Sequence, residues 1–132
     1  GAPWVNAEML SAELNSFSMP GVIFEAARFT PDVKISDYPP KFFNKECSGI
    51  FINVTDKAEF EPVKCGVLIL ISLNKLFPEF RFNKDNFIDK LAGTDMLRKQ
   101  VVNGSSLDEI VKSWLPGAEE FRKSRKTYLL YN

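Results

Sequence analysis

Four carboxylates lie close together in the sequence and are the residues that could carry acid–base chemistry: Glu46, Asp56, Glu59 and Glu61. Two carboxylates held at a suitable distance can act as general acid and general base. Their spacing gives no reason to pair any two of them in these roles. Asp56 directly follows a strand-like pattern, and we interpret it as the cap of a turn. The sequence therefore predicts no catalytic residue.

Cysteine and histidine usage restricts the remaining chemistry. The chain has no histidine, so it cannot form a Ser-His or Cys-His nucleophile pair. A zinc site would have only two thiols and carboxylates as ligands. Cys47 and Cys65 leave a disulfide open, although two buried free thiols are the simpler interpretation. We predict neither a metal nor a cofactor.

A long irregular connection, residues 30–46, carries the candidate binding residues. It exceeds the usual loop length, and such loops tend to be functional or disordered. Its aromatic residues Tyr38, Phe42 and Phe43 could lie flat against the apolar face of a sugar. The alternative is that these rings fold back and cover the core.

Cations close to these rings in sequence could bind an acidic group of a ligand. They are Arg28, Lys34 and Lys41. Each of them could equally be a solvated surface charge. With the three aromatic residues, they form the predicted contact set of a cleft.

Two segments have the pattern of strands that would position this connection. Apolar residues recur with period two from Ile50 to Val54, as in a strand with one face on a core. Residues 22–29 read as a second strand, between Gly21 and Pro31. We expect the two strands to pair in one small sheet.

A mostly buried helix is predicted over residues 62–77. Pro62 suits the first helical position, and Pro78 ends the helix. The run at residues 67–71 also fits a buried strand, but the whole apolar pattern is too long for one. Lys64, Ser72 and Lys75 fall on one stripe of this helix together with Leu68, and the rest of the helix surface is apolar. We expect this stripe to be the polar side of the helix.

Further helices complete an α+β fold class, with a short sheet packed against the central helix. Asn6 caps a first helix, and a capping box at Ser106 and Glu109 starts another one. We expect Pro116 to break that helix, residues 118–126 to form a separate helix, and residues 128–131 to dock on the domain.

Length and charge indicate the broad class. The 132 residues match a single domain, residues 1–132, and 45% hydrophobic content is ordinary for a globular protein. Because 17 basic residues balance 17 acidic ones, no net field attracts nucleic acid. No apolar run approaches the length of a membrane span. The chain begins at Gly1 rather than at methionine, so we expect a fragment of a longer protein.

A series of short motifs resembles the C-terminal domain of the NamZ-type exo-β-N-acetylmuramidases. They are Gly1-Ala2-Pro3-Trp4, Pro20-Gly21-Val22 with Phe24, Phe29-Thr30-Pro31, Cys47-Ser48-Gly49-Ile50 leading to Val54-Thr55-Asp56, Phe60-Glu61-Pro62-Val63, and Phe121, Arg125 and Tyr128-Leu129-Leu130-Tyr131. Each motif is weak alone, but together they follow the family's order over essentially the whole chain. Residues 38–45 are longer and more aromatic than the family pattern.

The resemblance implies one domain of a bacterial glycoside hydrolase that removes N-acetylmuramic acid from the non-reducing ends of peptidoglycan fragments. Its partners would be an N-terminal catalytic domain of the same protein and a muramic acid saccharide, in a periplasmic or secreted setting. The chain alone would then be inactive and would form one wall of a sugar cleft. The alternative from a different class is a stand-alone module that binds a partner protein.

Overall fold

The structure, a computed structural model, describes residues 1–32 and 39–129. Its helices are α1 (Ala7–Ser16), α2 (Pro62–Leu76), α3 (Phe87–Ala92), α4 (Met96–Val102) and α5 (Leu107–Arg125), and its strands are β1 (Val22–Phe29) and β2 (Cys47–Val54). The predicted α+β class is confirmed. Two compact units make up the chain, Gly1–Phe82 and Asn83–Asn132.

The sheet of the first unit is the predicted pair of strands. β1 and β2 run antiparallel, with Val22 opposite Val54 and Phe29 opposite Cys47. Val22 and Phe24 are buried, whereas Ile23 between them is exposed. This alternation places one face of β1 on the core. The core face predicted for β2 from Ile50 to Val54 is wrong at its end, because Ile52 and Val54 are 41% and 37% exposed.

Both outer edges of this sheet have a hydrogen-bonding partner. The side-chain amide of Asn15 donates to the carbonyl oxygen of Phe24 at 2.8 Å, and its oxygen accepts from the Phe24 N–H at 3.0 Å. On the far side of β2, Ala2 and Ser48 exchange two backbone hydrogen bonds of 2.9 and 3.1 Å. Helix α1 and the N-terminal segment are therefore fixed to opposite edges of the sheet.

Helix α1 joins the sheet to the long helix. Asn6 caps it as predicted, because its side chain accepts a hydrogen bond from the Met9 N–H at 2.8 Å. Leu10 and Leu14 are buried, and α1 packs against β1, β2 and α2. The core of the first unit thus lies around α1.

Helix α2 has the predicted bounds but a different orientation. It begins at Pro62 and ends at Leu76, before Pro78. The stripe expected to be polar is wrong at its centre, because Leu68 and Ser72 are both 0% exposed. Cys65 is also buried, so residues at helical spacing place this face on the core. The short Ser72 side chain fits there, and only Lys64 and Lys75 extend from the ends of the stripe to salt bridges.

The two cysteines are free and buried. Burial raises the pKa of the Cys65 thiol above its ordinary value, because the thiolate would lose its hydration. The interpretation as two small apolar side chains is confirmed.

The second unit contains α3, α4 and α5. The guanidinium of Arg98 donates to both carboxylate oxygens of Asp89 over 2.8 to 3.0 Å, which ties α4 to α3. The predicted capping box starts α5, where Ser106 and Glu109 exchange hydrogen bonds. The Ser106 backbone N–H, followed by its hydroxyl, holds the pKa of Glu109 below its ordinary value.

The predicted break at Pro116 is wrong, since α5 continues through Pro116 to Arg125. A proline has a φ close to that of a helix and removes only one backbone hydrogen bond, so one continuous helix is possible at a cost. The docking expected for residues 128–131 is not seen at Tyr128 and Leu129, which are 83% and 50% exposed, and residues 130 and 131 lie outside the described residues. Within the described ranges, no helix has the length and apolar character needed to cross a membrane.

Candidate functional site

One cavity of about 330 Å³ lies in the unit Gly1–Phe82. We call it the cavity. Its described lining consists of Gly1, Ala2, Trp4, Val5, Leu10, Phe29, Pro31, Lys41, Phe42, Cys47, Gly49, Ile50, Ile69, Leu73, Phe80 and Arg81. A volume near the lower end of the range typical of ligand pockets suits a group about the size of one sugar.

Regular elements form the rigid sides of the cavity. Phe29 is the last residue of β1, Ile50 belongs to β2, and Leu73 belongs to α2. The N-terminal segment is held by the pairing of Ala2 with Ser48. Trp4 packs against Phe77 at the end of α2, with ring centroids 5.9 Å apart. These contacts fix the aromatic side of the cavity.

The described part of the irregular connection forms a turn at the mouth. The Phe43 N–H donates to the Pro40 carbonyl at 3.1 Å, and the Lys45 N–H donates to the Phe42 carbonyl at 2.9 Å. Phe42 has a φ of +63°, in the left-handed region that bulky residues rarely adopt. The Nζ of Lys41 lies 5.1 Å from the centroid of the Phe42 ring. The turn therefore presents a ring and a cation together.

Arg81 supplies a second cation from the segment after α2. One of its guanidinium nitrogens, Nη1, donates to the backbone carbonyls of Pro78 and Phe80. The Phe80 ring packs edge-on against Phe82, with centroids 5.2 Å apart. Arg81 is therefore held by its own backbone next to an ordered aromatic pair.

The electrostatic character of the cavity is one-sided. Its described lining includes the cations Lys41 and Arg81 and no aspartate or glutamate. Four lining residues, Trp4, Phe29, Phe42 and Phe80, are aromatic. Such a combination suits a ligand with an apolar surface and a negatively charged group.

The structure places some residues of the predicted contact set in the cavity lining and others outside it. Lys41 and Phe42 line the cavity. Arg28 forms an ion pair of 2.9 Å with Glu8, and both side chains are 63% exposed. Phe43 is half-buried and lies outside the cavity lining. Lys34 and Tyr38 lie outside the described residues, so their role stays a prediction.

Arg81 was missed because it follows α2, far in sequence from the irregular connection. The aromatic residues Phe80 and Phe82 stand on either side of it in the sequence. No local pattern indicates that this segment returns to the turn at residues 40–45. The only available signal was its composition, a cation between two aromatic residues.

Two of the four carboxylates have partners within the described structure that account for them. Asp56 accepts a hydrogen bond from the Ala58 N–H at 2.8 Å, which agrees with its interpretation as a turn cap. Glu61 pairs with Lys64 at 2.8 Å. Over residues 1–32 and 39–129, no group of three potential metal ligands occurs.

Fold and site together define a small α+β domain with an aromatic cavity that carries cations. The family model described as "Exo-beta-N-acetylmuramidase NamZ, C-terminal" matches residues 1–131. The chain therefore belongs to the family of NamZ C-terminal domains, and the resemblance noted in the sequence is confirmed.

A relative in sequence supports this assignment, and a solved structure shares the fold. The chain is 38% identical over 132 residues to the peptidoglycan β-N-acetylmuramidase NamZ of Bacillus subtilis (strain 168), covering 99% of this chain and 30% of that protein. A crystal structure of a DUF1343 family protein from Bacteroides fragilis NCTC 9343 shares the fold, with a TM-score of 0.75 and 20% identity over 99% of this chain and 34% of that one. The chain thus spans about a third of the length of each relative.

Proposed function

We propose that this chain is the auxiliary domain of an exo-β-N-acetylmuramidase and forms one wall of the cleft that holds a muramic acid saccharide. The observation that carries the proposal is the cavity, in which Trp4, Phe29, Phe42 and Phe80 offer aromatic surface. Aromatic rings can cover the apolar face of a sugar, and the cavity has room for about one such ring.

The chemistry itself is assigned to another part of the parent protein. Exo-hydrolysis at the non-reducing end needs a catalytic carboxylate, and the described lining of the cavity has none. The Bacillus subtilis relative extends well beyond the 30% of its length that this chain matches. That extent is consistent with an N-terminal catalytic domain as the partner of this one.

The test compares the isolated chain with the parent protein. The isolated chain should leave a chromogenic N-acetylmuramide intact, whereas the parent should hydrolyse it. In the parent, Phe42→Ala should raise KM several-fold while kcat changes less, because the ring binds ligand without taking part in the reaction. Arg28→Ala is the matched control, since Arg28 is paired with Glu8 at the surface.

Two results would contradict the proposal. Turnover by the pure isolated chain would show that it carries its own catalytic group. Equal kinetic constants for wild type and Phe42→Ala, with circular dichroism showing an unchanged fold, would remove the cavity from the substrate cleft.

The alternative, a module that binds a partner protein, rests on a different observation. Phe121 and Tyr128 are 63% and 83% exposed at the end of the second unit. Large exposed apolar side chains are common at interaction sites. Replacing both by serine should leave the kinetic constants of the parent protein unchanged under our proposal, whereas loss of binding to a partner protein with those constants unchanged would favour the alternative.

A further inference from the structure

We infer that Lys41 and Arg81 form a carboxylate-recognition site in the cavity, which selects saccharides bearing an acidic substituent over neutral N-acetylhexosamines. The inference rests on the proposed function and extends it from the aromatic surface to a charge-based specificity. In muramic acid, the acidic substituent is the lactyl ether at the sugar ring.

The two cations differ from three others of the same unit in having no carboxylate partner. Within the unit Gly1–Phe82, Arg28, Lys64 and Lys75 each pair with a carboxylate within 2.7 to 2.9 Å. Lys41 and Arg81 have no carboxylate partner in the described part of the chain, and both line the cavity. Their charge is therefore available to a ligand.

Arg81 is prepared for this role by its own backbone. The Nη1 group is occupied by the carbonyls of Pro78 and Phe80, which holds the guanidinium in place. A guanidinium has five N–H donors, so Nε and Nη2 can still donate to the two oxygens of a carboxylate. Because the side chain is already ordered, binding costs less conformational entropy.

Lys41 adds a second positive charge. It lies before β2 in the sequence, whereas Arg81 lies after α2. Its Nζ stays near the ring of Phe42, at 5.1 Å from the centroid. Lys41 and Arg81 are both exposed, so their attraction to a carboxylate acts partly through solvent and is screened by salt. Both cations belong to the lining that contains the rings, so a ligand lying on the rings has them in the same cavity.

Sugar binding and carboxylate recognition can be separated with two ligands of almost the same shape. The parent protein, in which the catalytic domain completes the proposed cleft, is titrated by calorimetry or NMR with N-acetylmuramic acid and with its lactyl amide, which has the same skeleton without the charge. We expect the acid to bind about 10- to 100-fold more tightly, as hydrogen bonds to a charged group imply. This preference should shrink as salt is raised.

The variants Arg81→Gln and Lys41→Gln should lower the affinity for the acid and leave that for the amide unchanged. Arg28→Gln, which removes a cation outside the cavity lining, is the matched control and should preserve the preference. Circular dichroism of each variant verifies the fold.

The outcomes distinguish carboxylate recognition by Lys41 and Arg81 from the proposed role of the domain as a wall of the sugar cleft. Equal affinity of the wild type for acid and amide would overturn carboxylate recognition and leave the sugar-binding wall intact. A preference that persists in both variants would assign the charge recognition to other residues and would also overturn the inference. Binding of neither ligand would overturn both the inference and the proposed wall.

Discussion

The backbone N–H of Asn44 donates a hydrogen bond to the carbonyl oxygen of Pro31 at 2.8 Å. Pro31 follows β1 closely and Asn44 precedes β2, so this bond joins the two described sides of the irregular connection. It closes the turn that places Lys41 and Phe42 at the cavity. The left-handed conformation of Phe42 is therefore held by its surroundings, as strained residues at binding sites often are.

The strain at Phe42 can be measured with a pair of substitutions. Phe42→Gly and Phe42→Ala both remove the ring, but only glycine accepts a φ of +63° without penalty. We expect the glycine variant to be more stable than the alanine variant by about 1 kcal/mol in chemical denaturation. At Phe43, which is not among the residues with positive φ, the same pair should show the reverse order. Equal stability of the two Phe42 variants would show that the turn adapts.

The second prediction concerns the buried centre of α2. Leu68 is 0% exposed, so Leu68→Ala should cost about 2–5 kcal/mol of unfolding free energy through lost burial and a residual cavity. Val63→Ala, on the same helix at a position 67% exposed, should change it by less than about 0.5 kcal/mol. A loss below about 1 kcal/mol for Leu68→Ala would place this face of the helix away from the core.

Ser72 gives the opposite expectation on the same buried face. Its hydroxyl is fully buried and has no hydrogen-bond partner in the described structure. Removing an unpaired buried hydroxyl relieves a desolvation penalty of about 1–3 kcal/mol, so Ser72→Ala should be neutral or stabilising. Ser113→Ala serves as control, because that hydroxyl donates to the Ile110 carbonyl at 2.6 Å. A marked loss of stability in Ser72→Ala would reveal a partner for the hydroxyl.

The capping box of α5 predicts a pH dependence. The pKa of Glu109 is lower in the folded chain, chiefly because the Ser106 N–H donates to its carboxylate. The carboxylate therefore stabilises the folded state above the unfolded pKa, and this contribution is lost as the pH falls through the folded pKa. The stability difference between wild type and Glu109→Gln should be largest near neutral pH and shrink in acid.

Thermal denaturation across this pH range checks the prediction. Glu119→Gln, in the same helix, controls for the loss of one negative charge. A difference between wild type and Glu109→Gln that stays constant down to acidic pH would show that the capping box contributes through packing alone.

The sequence was sufficient where local chemistry decides the structure. Pro62 and Pro78 mark the ends of α2 because proline suits the first turn of a helix and disfavours helical backbone before it. Asn6 and Ser106 mark helix starts because their side chains can accept backbone hydrogen bonds. The strand at residues 50–54 was predicted from its alternation and the strand at residues 22–29 from the turn residues on both sides of it.

Local patterns failed where tertiary contacts decide the outcome. The polar type of Ser72 suggested an exposed stripe, but packing against α1 determines which face of α2 is buried. Pro116 suggested a break, although the hydrogen bonds on both sides of it sustain one helix. Arg81 joins Lys41 at the cavity through a return of the chain that no short window of sequence contains.

The partners on the sheet edges have a consequence for how this domain behaves in concentrated solution. A strand edge with free N–H and carbonyl groups is a template on which another molecule can add its own strand, and this is a route to aggregation. A sheet of only two strands consists entirely of edge strands. Asn15 occupies the edge of β1 at Phe24, and Ala2 occupies the edge of β2 at Ser48. A side-chain amide and a single extended residue thus interrupt intermolecular growth at both sides, and the small sheet stays discrete.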